Sequence, residues 1–274
     1  MKTISIPKIS LEGKGSSGSG SALAKLKLPD GIKFMRSSCS NFDWLKNVDT
    51  SEVTTMFQMF NNCEELTSID LSSFNTSSVT TMQYMFNVCT SLASLDLSSF
   101  DTSSVTNMQQ MFNNCTSLAS LDLSSFDTSS VTNMQSMFYY CKSLASLDLS
   151  SFNTSSVTTM DQMFTSCSSL ASLDLSSFNT SSVTTMYQMF NYCQSLTSLL
   201  LGPNFFKTKS DISIDFSSCS KWVGDTVVTS LVTNSYDRAA AGLKVITLRL
   251  STNTKAALTE EQKAAITAKG YTIA

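Results

Sequence analysis

The stretch Met111–Ser136, MFNNCTSLASLDLSSFDTSSVTNMQS, decides the fold, because the chain repeats it almost letter for letter. The pair Met-Phe recurs at Met59-Phe60, Met85-Phe86, Met111-Phe112, Met137-Phe138, Met163-Phe164 and Met189-Phe190, always at the same 26-residue step. No insertion or deletion interrupts the series. A worn copy begins at Met35, where Cys39 keeps the Met-to-Cys spacing, and another closes the series with Phe216 and Cys219 in register. Fixed-period self-similarity of this kind is the mark of a solenoid, in which each unit buries its apolar face only against its neighbours.

Within one unit, Leu92, Leu95 and Leu97 form an L-x-x-L-x-L pattern whose last two leucines flank an outward Asp96. Alternation with period two predicts a short strand with one buried face. Asp101-Thr102-Ser103-Ser104 then offers helix N-caps. Val105, Met108, Met111, Phe112 and Cys115 step mainly by three or four, which predicts a short helix of two to three turns. The expectation is an α/β leucine-rich-repeat solenoid of 26-residue strand-plus-short-helix repeats with terminal caps. All eight cysteines share one repeat position, and every methionine except Met1 falls in two columns, so identical residues should form ladders through the core.

Residues 59–204 read as the solenoid. Residues 1–21 read as an N-terminal arm (Met1–Leu11) with a Gly/Ser linker, and 22–58 as an N-terminal cap with a degenerate repeat. Residues 205–274 read as a degenerate repeat and C-terminal cap, needed because a stack exposes an apolar cross-section at its end. There the pattern predicts a helix around Asp225–Asn234 and a strand at Lys244–Leu250. A second helix should follow, N-capped by Thr259 with Glu260 and Glu261 in its first turn and closed by Lys269-Gly270, before a last strand at Tyr271–Ile273.

The net charge of −3 is unevenly spread: between residues 59 and 193 the only base is Lys142, against ten acids. That argues against nucleic-acid binding along the repeats. The chain has no histidine, so Ser-His and Cys-His catalytic pairings and histidine metal sites are excluded. No phosphate loop occurs. No apolar run is long enough for a membrane span, and no secretory signal or early lipidation site is visible. The expectation is a chain that is not an enzyme and that uses neither cofactor nor metal.

The repeated text MFxxCxSLxSLDLSSFDTSSVTNM resembles the BspA-like leucine-rich-repeat family over about Met35–Cys219, and the ITAKGYTI ending at Ile266–Ile273 resembles tails that follow such repeats. The family consists of bacterial surface proteins, and similar modules occur in phages of gut bacteria. The resemblance implies a non-enzymatic adhesin, extracellular on a virion or bacterial surface, that binds a protein or glycan. The alternative is a structural virion decoration or fibre protein, attached through Met1–Leu11, whose repeats act as a spacer. Assembly into a homo-oligomer is compatible with either.

The candidate binding face is the outward column Asp70, Asp96, Asp122, Asp148 and Asp174, flanked by Ser94, Ser98, Ser120 and Ser124. Carboxylates at strand spacing repel one another unless something compensates. A cation, a basic partner or a sugar could do so, and so could neighbouring hydroxyls and water. A second column, Asn75, Asp101, Asp127, Asn153 and Asn179, mixes amide and acid, as a turn or N-cap requires. The cysteines read as free buried thiols, the methionines and Phe74, Phe100, Phe126, Phe152 and Phe178 as core.

Overall fold

A computed structural model describes residues 25–34, 42–210 and 212–274. The Met1–Leu11 arm, the Gly/Ser linker and the worn copy at Met35 and Cys39 lie outside the described residues. The rest is a solenoid whose interior is the set of columns that repeat in the sequence: Val105, Met108, Met111, Phe112, Cys115, Leu118, Leu123 and Phe126, with their equivalents in the other coils, are all buried. Along the axis the second residue of each Met-Phe pair stacks on the next. Phe60–Phe86, Phe86–Phe112, Phe112–Phe138, Phe138–Phe164 and Phe164–Phe190 have ring centroids 5.4, 5.9, 5.8, 5.8 and 6.0 Å apart. Phe34 and Phe42 meet the stack at one end, and Phe216 followed by Trp222 closes it at the other.

The predicted repeat helix is absent: between residues 50 and 171 no residue is helical. The segment expected to be helical instead carries the main hydrogen-bond ladder between coils. Met82, Tyr84, Phe86 and Val88 donate their N–H groups to the carbonyls of Asn107, Gln109, Met111 and Asn113 in the next coil, at 2.8–3.0 Å. The alternate amides close local turns, with Met85, Asn87 and Cys89 donating to Met82, Tyr84 and Phe86. Tyr84 and Val88 hold this path with φ of 59° and 60°, and the same two columns are left-handed in every coil from Gln58 to Tyr192. A succession of tight turns also brings an apolar residue inward every third or fourth position, which is why the spacing mimics a helix. Threonine, asparagine, valine and phenylalanine, all poor helix formers, fill the segment and favour the turn path.

The predicted strand is also only partly realised. Leu95 and Leu97 are buried and Asp96 exposed, so the alternation holds. Full parallel pairing of this segment occurs between β3 (Ser172–Leu175) and β4 (Ser198–Leu201). Among the described residues no backbone hydrogen bond joins Leu95–Leu97 to Leu121–Leu123. On that side the earlier coils are tied by one long backbone bond per coil, such as the Ala119 N–H donating to the Ala93 carbonyl at 3.4 Å, and by hydroxyls, such as Ser125 Oγ donating to the Leu97 carbonyl at 3.3 Å. The paired junction is where Gly202 replaces the serine of other repeats. A Cβ there would lie 1.9 Å from the Ser176 carbonyl oxygen, so the close approach requires glycine.

A third tie is the buried threonine column. The Thr128 hydroxyl donates to the Asn153 carbonyl at 3.0 Å and accepts the Asn153 N–H at 2.8 Å. Near the start, β1 (Leu26–Lys27) pairs in parallel with β2 (Val48–Asp49). At the far end β5 (Ser213–Phe216), β6 (Ile246–Leu250) and β7 (Tyr271–Ile273) form a parallel three-stranded sheet. The chain between them contains α1 (Asp225–Val228), which widens into a π turn over Thr229–Asn234. It also contains α2 (Thr252–Ala257) and α3 (Glu260–Ala268). Here the strand-and-helix alternation expected of the repeats does occur. Thr259 and Gln262 form a capping box on α3, and Gly270 beyond it has φ of 88°. Arg238 is fully buried and donates to the carbonyls of Phe206, Thr208 and Lys244, holding the end of the stack to this sheet.

Val88 is the one β-branched residue in the left-handed columns, where a side chain branched at Cβ is most crowded. Asparagine occupies the same column at Asn62 and Asn114 and tolerates the conformation. Val88→Asn should therefore raise stability by about 1 kcal/mol, read from the urea midpoint at unchanged slope. An unchanged or lower midpoint would show that the left-handed path is wrong at this coil.

Candidate binding face

The Leu-x-Leu side presents Ser94, Asp96 and Ser98, then Ser120, Asp122 and Ser124, all exposed. Each aspartate is fixed by the turn that follows it. The Asp96 carboxylate accepts the Ser98 N–H at 2.9 Å, and Asp70, Asp122, Asp148 and Asp174 accept the N–H of Ser72, Ser124, Ser150 and Ser176 at 2.8–3.0 Å. These Asx turns bend the chain from the leucines into Phe100 and its equivalents. The structure thus brings the five aspartates into one line and gives each a local partner.

Hydrogen bonding lowers four of these carboxyls, Asp70, Asp96, Asp122 and Asp148, below their ordinary range. The Ser98 backbone N–H, then its hydroxyl, lowers the Asp96 carboxyl below the ordinary range, against opposing repulsion from Asp122 and Asp70. Ser124 and Ser150 do the same for Asp122 and Asp148, and the Ser72 hydroxyl leads for Asp70. The line of acids is therefore a permanent negative stripe at neutral pH. Towards β4, a groove of about 390 Å³ opens on this face, lined by Ser146, Asp148, Ser172, Asp174, Ser198 and Leu200 among others.

The second polar column has the turn role its composition suggests. Asp101 accepts the Ser103 N–H and hydroxyl at 3.0 and 2.6 Å, and Asn153 does the same with Ser155 at 3.1 and 2.8 Å. The cysteine column is buried, and six thiols from Cys89 to Cys219 are free. Each donates to a phenylalanine carbonyl of the preceding coil, as Cys115 does to Phe86 at 3.2 Å. Burial pushes the Cys89 and Cys193 thiols up to about 12, which leaves them without thiolate reactivity. Cys63 departs from the uniform free-thiol expectation. It is disulfide-bonded, and its partner lies outside the described residues. Among the described residues no three cysteine or carboxylate groups converge on a metal-sized site.

The ladder side carries functional candidates that the residue-type reading passed over. Phe57, Tyr84, Tyr139, Tyr140, Tyr187 and Tyr192 all lie on it, with Tyr187 and Tyr192 respectively 62% and 54% exposed. Glutamine and asparagine side chains run between them as amide ladders, Gln83 donating to Gln109 at 2.7 Å and Asn113 to Asn87 at 2.8 Å. The asparagine ladder stops where Tyr139 takes the next position, leaving the buried Asn113 Oδ1 without a donor. The signal was present as variation: the aspartate-side columns keep one residue type through the five coils from Asp70 to Ser176, whereas these columns change from coil to coil.

These features define a class: a repetitive, ladder-built solenoid with two chemically distinct exposed faces. The sequence profile of a family described as "Mycoplasma protein of unknown function, DUF285" matches residues 31–146 and 118–225, together well over half the chain. The chain belongs to that family. No curated protein and no solved structure matches it.

Because the folded-state acids are shifted down, their contribution to stability is fully present above the unfolded-chain value near 3.9 and is lost as pH falls through the folded values. The thermal midpoint should hold from about pH 7 to about pH 5 and drop below about pH 4. Changing Asp70, Asp96, Asp122 and Asp148 together to Asn should flatten the acid limb, with the variant's midpoint below the parent's at neutral pH and approaching it in acid. An identical acid limb in that variant would contradict the assignment.

Proposed function

We propose that this chain is a non-enzymatic adhesion or receptor-binding module, displayed on the outside of a bacterial cell or phage particle, that engages protein or glycan through its Ser/Asp face. The BspA-like resemblance of the repeat text supports the surface role. The observation that carries the reading is the regular array of exposed, ionised aspartates, each flanked by exposed serines, repeated once per coil. One such site offers a weak, hydrogen-bonding anionic contact. Five in a line convert weak contacts into avidity for a target that is itself repetitive. The face is acidic throughout, so its partner is basic, cation-bridged or rich in hydroxyl donors.

The charge can be removed without removing the turns, since asparagine makes the same Asx turn in the neighbouring column. Purified chain and the triple variant Asp96→Asn, Asp122→Asn, Asp148→Asn are compared in solid-phase binding to extracellular-matrix proteins, mucin and intact bacterial cells. The expected outcome is saturable binding by the parent that weakens at least about tenfold in the variant, as loss of charge-assisted hydrogen bonds predicts. Binding that the variant retains in full would remove the Ser/Asp face from the function.

A further inference from the structure

We propose that the ladder side holds a second, independent site, a slot for a carboxylate-bearing sugar between Tyr140 and Tyr192. The two tyrosines occupy the same repeat column two coils apart, with Ser166 between them. At one strand spacing per coil their backbones lie about 10 Å apart along the stack. Ser166 is buried and small, so it forms a floor rather than a filler. Tyr140, Tyr192, Ser166, Ser168, Lys142 and Gln194 line a depression of about 220 Å³. That is room for one six-membered ring.

The chemistry of the lining selects the ligand. The exposed Tyr192 ring offers an electron-rich face to the electropositive C–H face of a pyranose. The Tyr140 ring, stacked on Tyr139 with centroids 4.9 Å apart, forms the opposite wall, and Ser168 and Gln194 offer hydrogen bonds to the sugar hydroxyls. Lys142 supplies the charge. It is the only base in residues 59–193, and it falls in this slot. Its Nζ sits 4.6 Å from the Tyr140 ring centroid, a cation–π contact that places the ammonium at the slot wall. A carboxylate on the bound ring would meet the one cation that the repeat body offers, on a surface otherwise repulsive to acids.

A third, independent observation is where the coils differ. The Ser/Asp side is exposed yet keeps the same aspartate and serines in the five coils from Asp70 to Ser176, changing only at Leu200 and Gly202. The column of Tyr140 and Tyr192 reads Asn62, Val88, Asn114, Tyr140, Ser166, Tyr192, and the column of Lys142 reads Glu64, Thr90, Thr116, Lys142, Ser168, Gln194. The slot exists only where those two columns hold this combination, so it is a single site rather than a repeated one.

The test uses the full chain and titration calorimetry with sialyllactose and trigalacturonate, and with lactose and trigalactose as uncharged counterparts. Variants are Tyr192→Ser, which copies the residue already tolerated at Ser166, and Lys142→Gln, with thermal melts confirming the fold. The expected result is binding of at least one acidic sugar, weakened at least about tenfold by Tyr192→Ser. Lys142→Gln should cost the preference for the acidic sugar over its uncharged counterpart and the salt dependence of binding. The triple Asp→Asn variant of the opposite face should bind these sugars as the parent does, which separates this site from the proposed function. Absence of binding by any acidic sugar at millimolar concentration overturns the proposal. So does binding indifferent to both substitutions, or equal binding of an acidic peptide such as oligoglutamate.

Discussion

Everything in this molecule depends on one arrangement: alternate amides of the Met-Phe segment point along the axis into the next coil, and the amides between them close turns within the coil. Two left-handed residues per coil make that alternation possible. Each costs about 1 kcal/mol or more in an L-residue, and the cost is carried by backbone hydrogen bonds that bind one coil to the next. The spacing so fixed puts phenylalanine on phenylalanine, each thiol under a carbonyl of the coil before it, and each buried threonine hydroxyl against the backbone of the coil after it. The exposed columns inherit the same order. Asp96 lies in line with Asp70 and Asp122 because the interior is already in register.

The period, the interior columns and the last helix and strand of the chain were legible in the sequence. Leu97, Met108, Phe112 and Cys115 are buried because they repeat, and the Thr259 cap and Gly270 terminator of α3 follow from local turn chemistry. What was not legible was the backbone path between the columns. Apolar residues at three- and four-residue steps suit a helix and a chain of tight turns equally well, and only the low helix propensity of Val-Thr-Asn-Met spoke for the turns. The leucine alternation correctly separated inside from outside at Leu95, Asp96 and Leu97. It could not tell whether neighbouring coils approach closely enough to pair, which they do fully where Gly202 removes a side chain. Uniform repetition also hid the exception at Cys63, which is disulfide-bonded.

The two exposed faces differ for physical reasons. On the leucine side each aspartate and the serine after it build a turn, so from Asp70 to Ser176 the surface stays uniform. It changes at Leu200 and Gly202, where β4 pairs fully. On the ladder side the backbone bonds hold the coil, and the outward side chains at Tyr140, Lys142 and Tyr192 are left to vary. A face constrained by its own turns suits a repetitive target, and a face released from that constraint can carry a particular site. In the sequence the aspartates stood out as chemistry-bearing residues, while the tyrosines drew no attention because none belongs to a recognisable motif.

The central claim is that the Met-Phe segments form a ladder between coils rather than helices. Residue-resolved amide hydrogen exchange by NMR tests it most directly. Met108, Gln110, Phe112 and Asn114 should exchange slowly, with left-handed chemical shifts at Gln110 and Asn114, while Leu121–Leu123 exchange quickly for want of backbone partners. Helical chemical shifts running unbroken from Val105 to Cys115, with slow exchange at Leu121–Leu123, would contradict it and restore the strand-and-helix repeat.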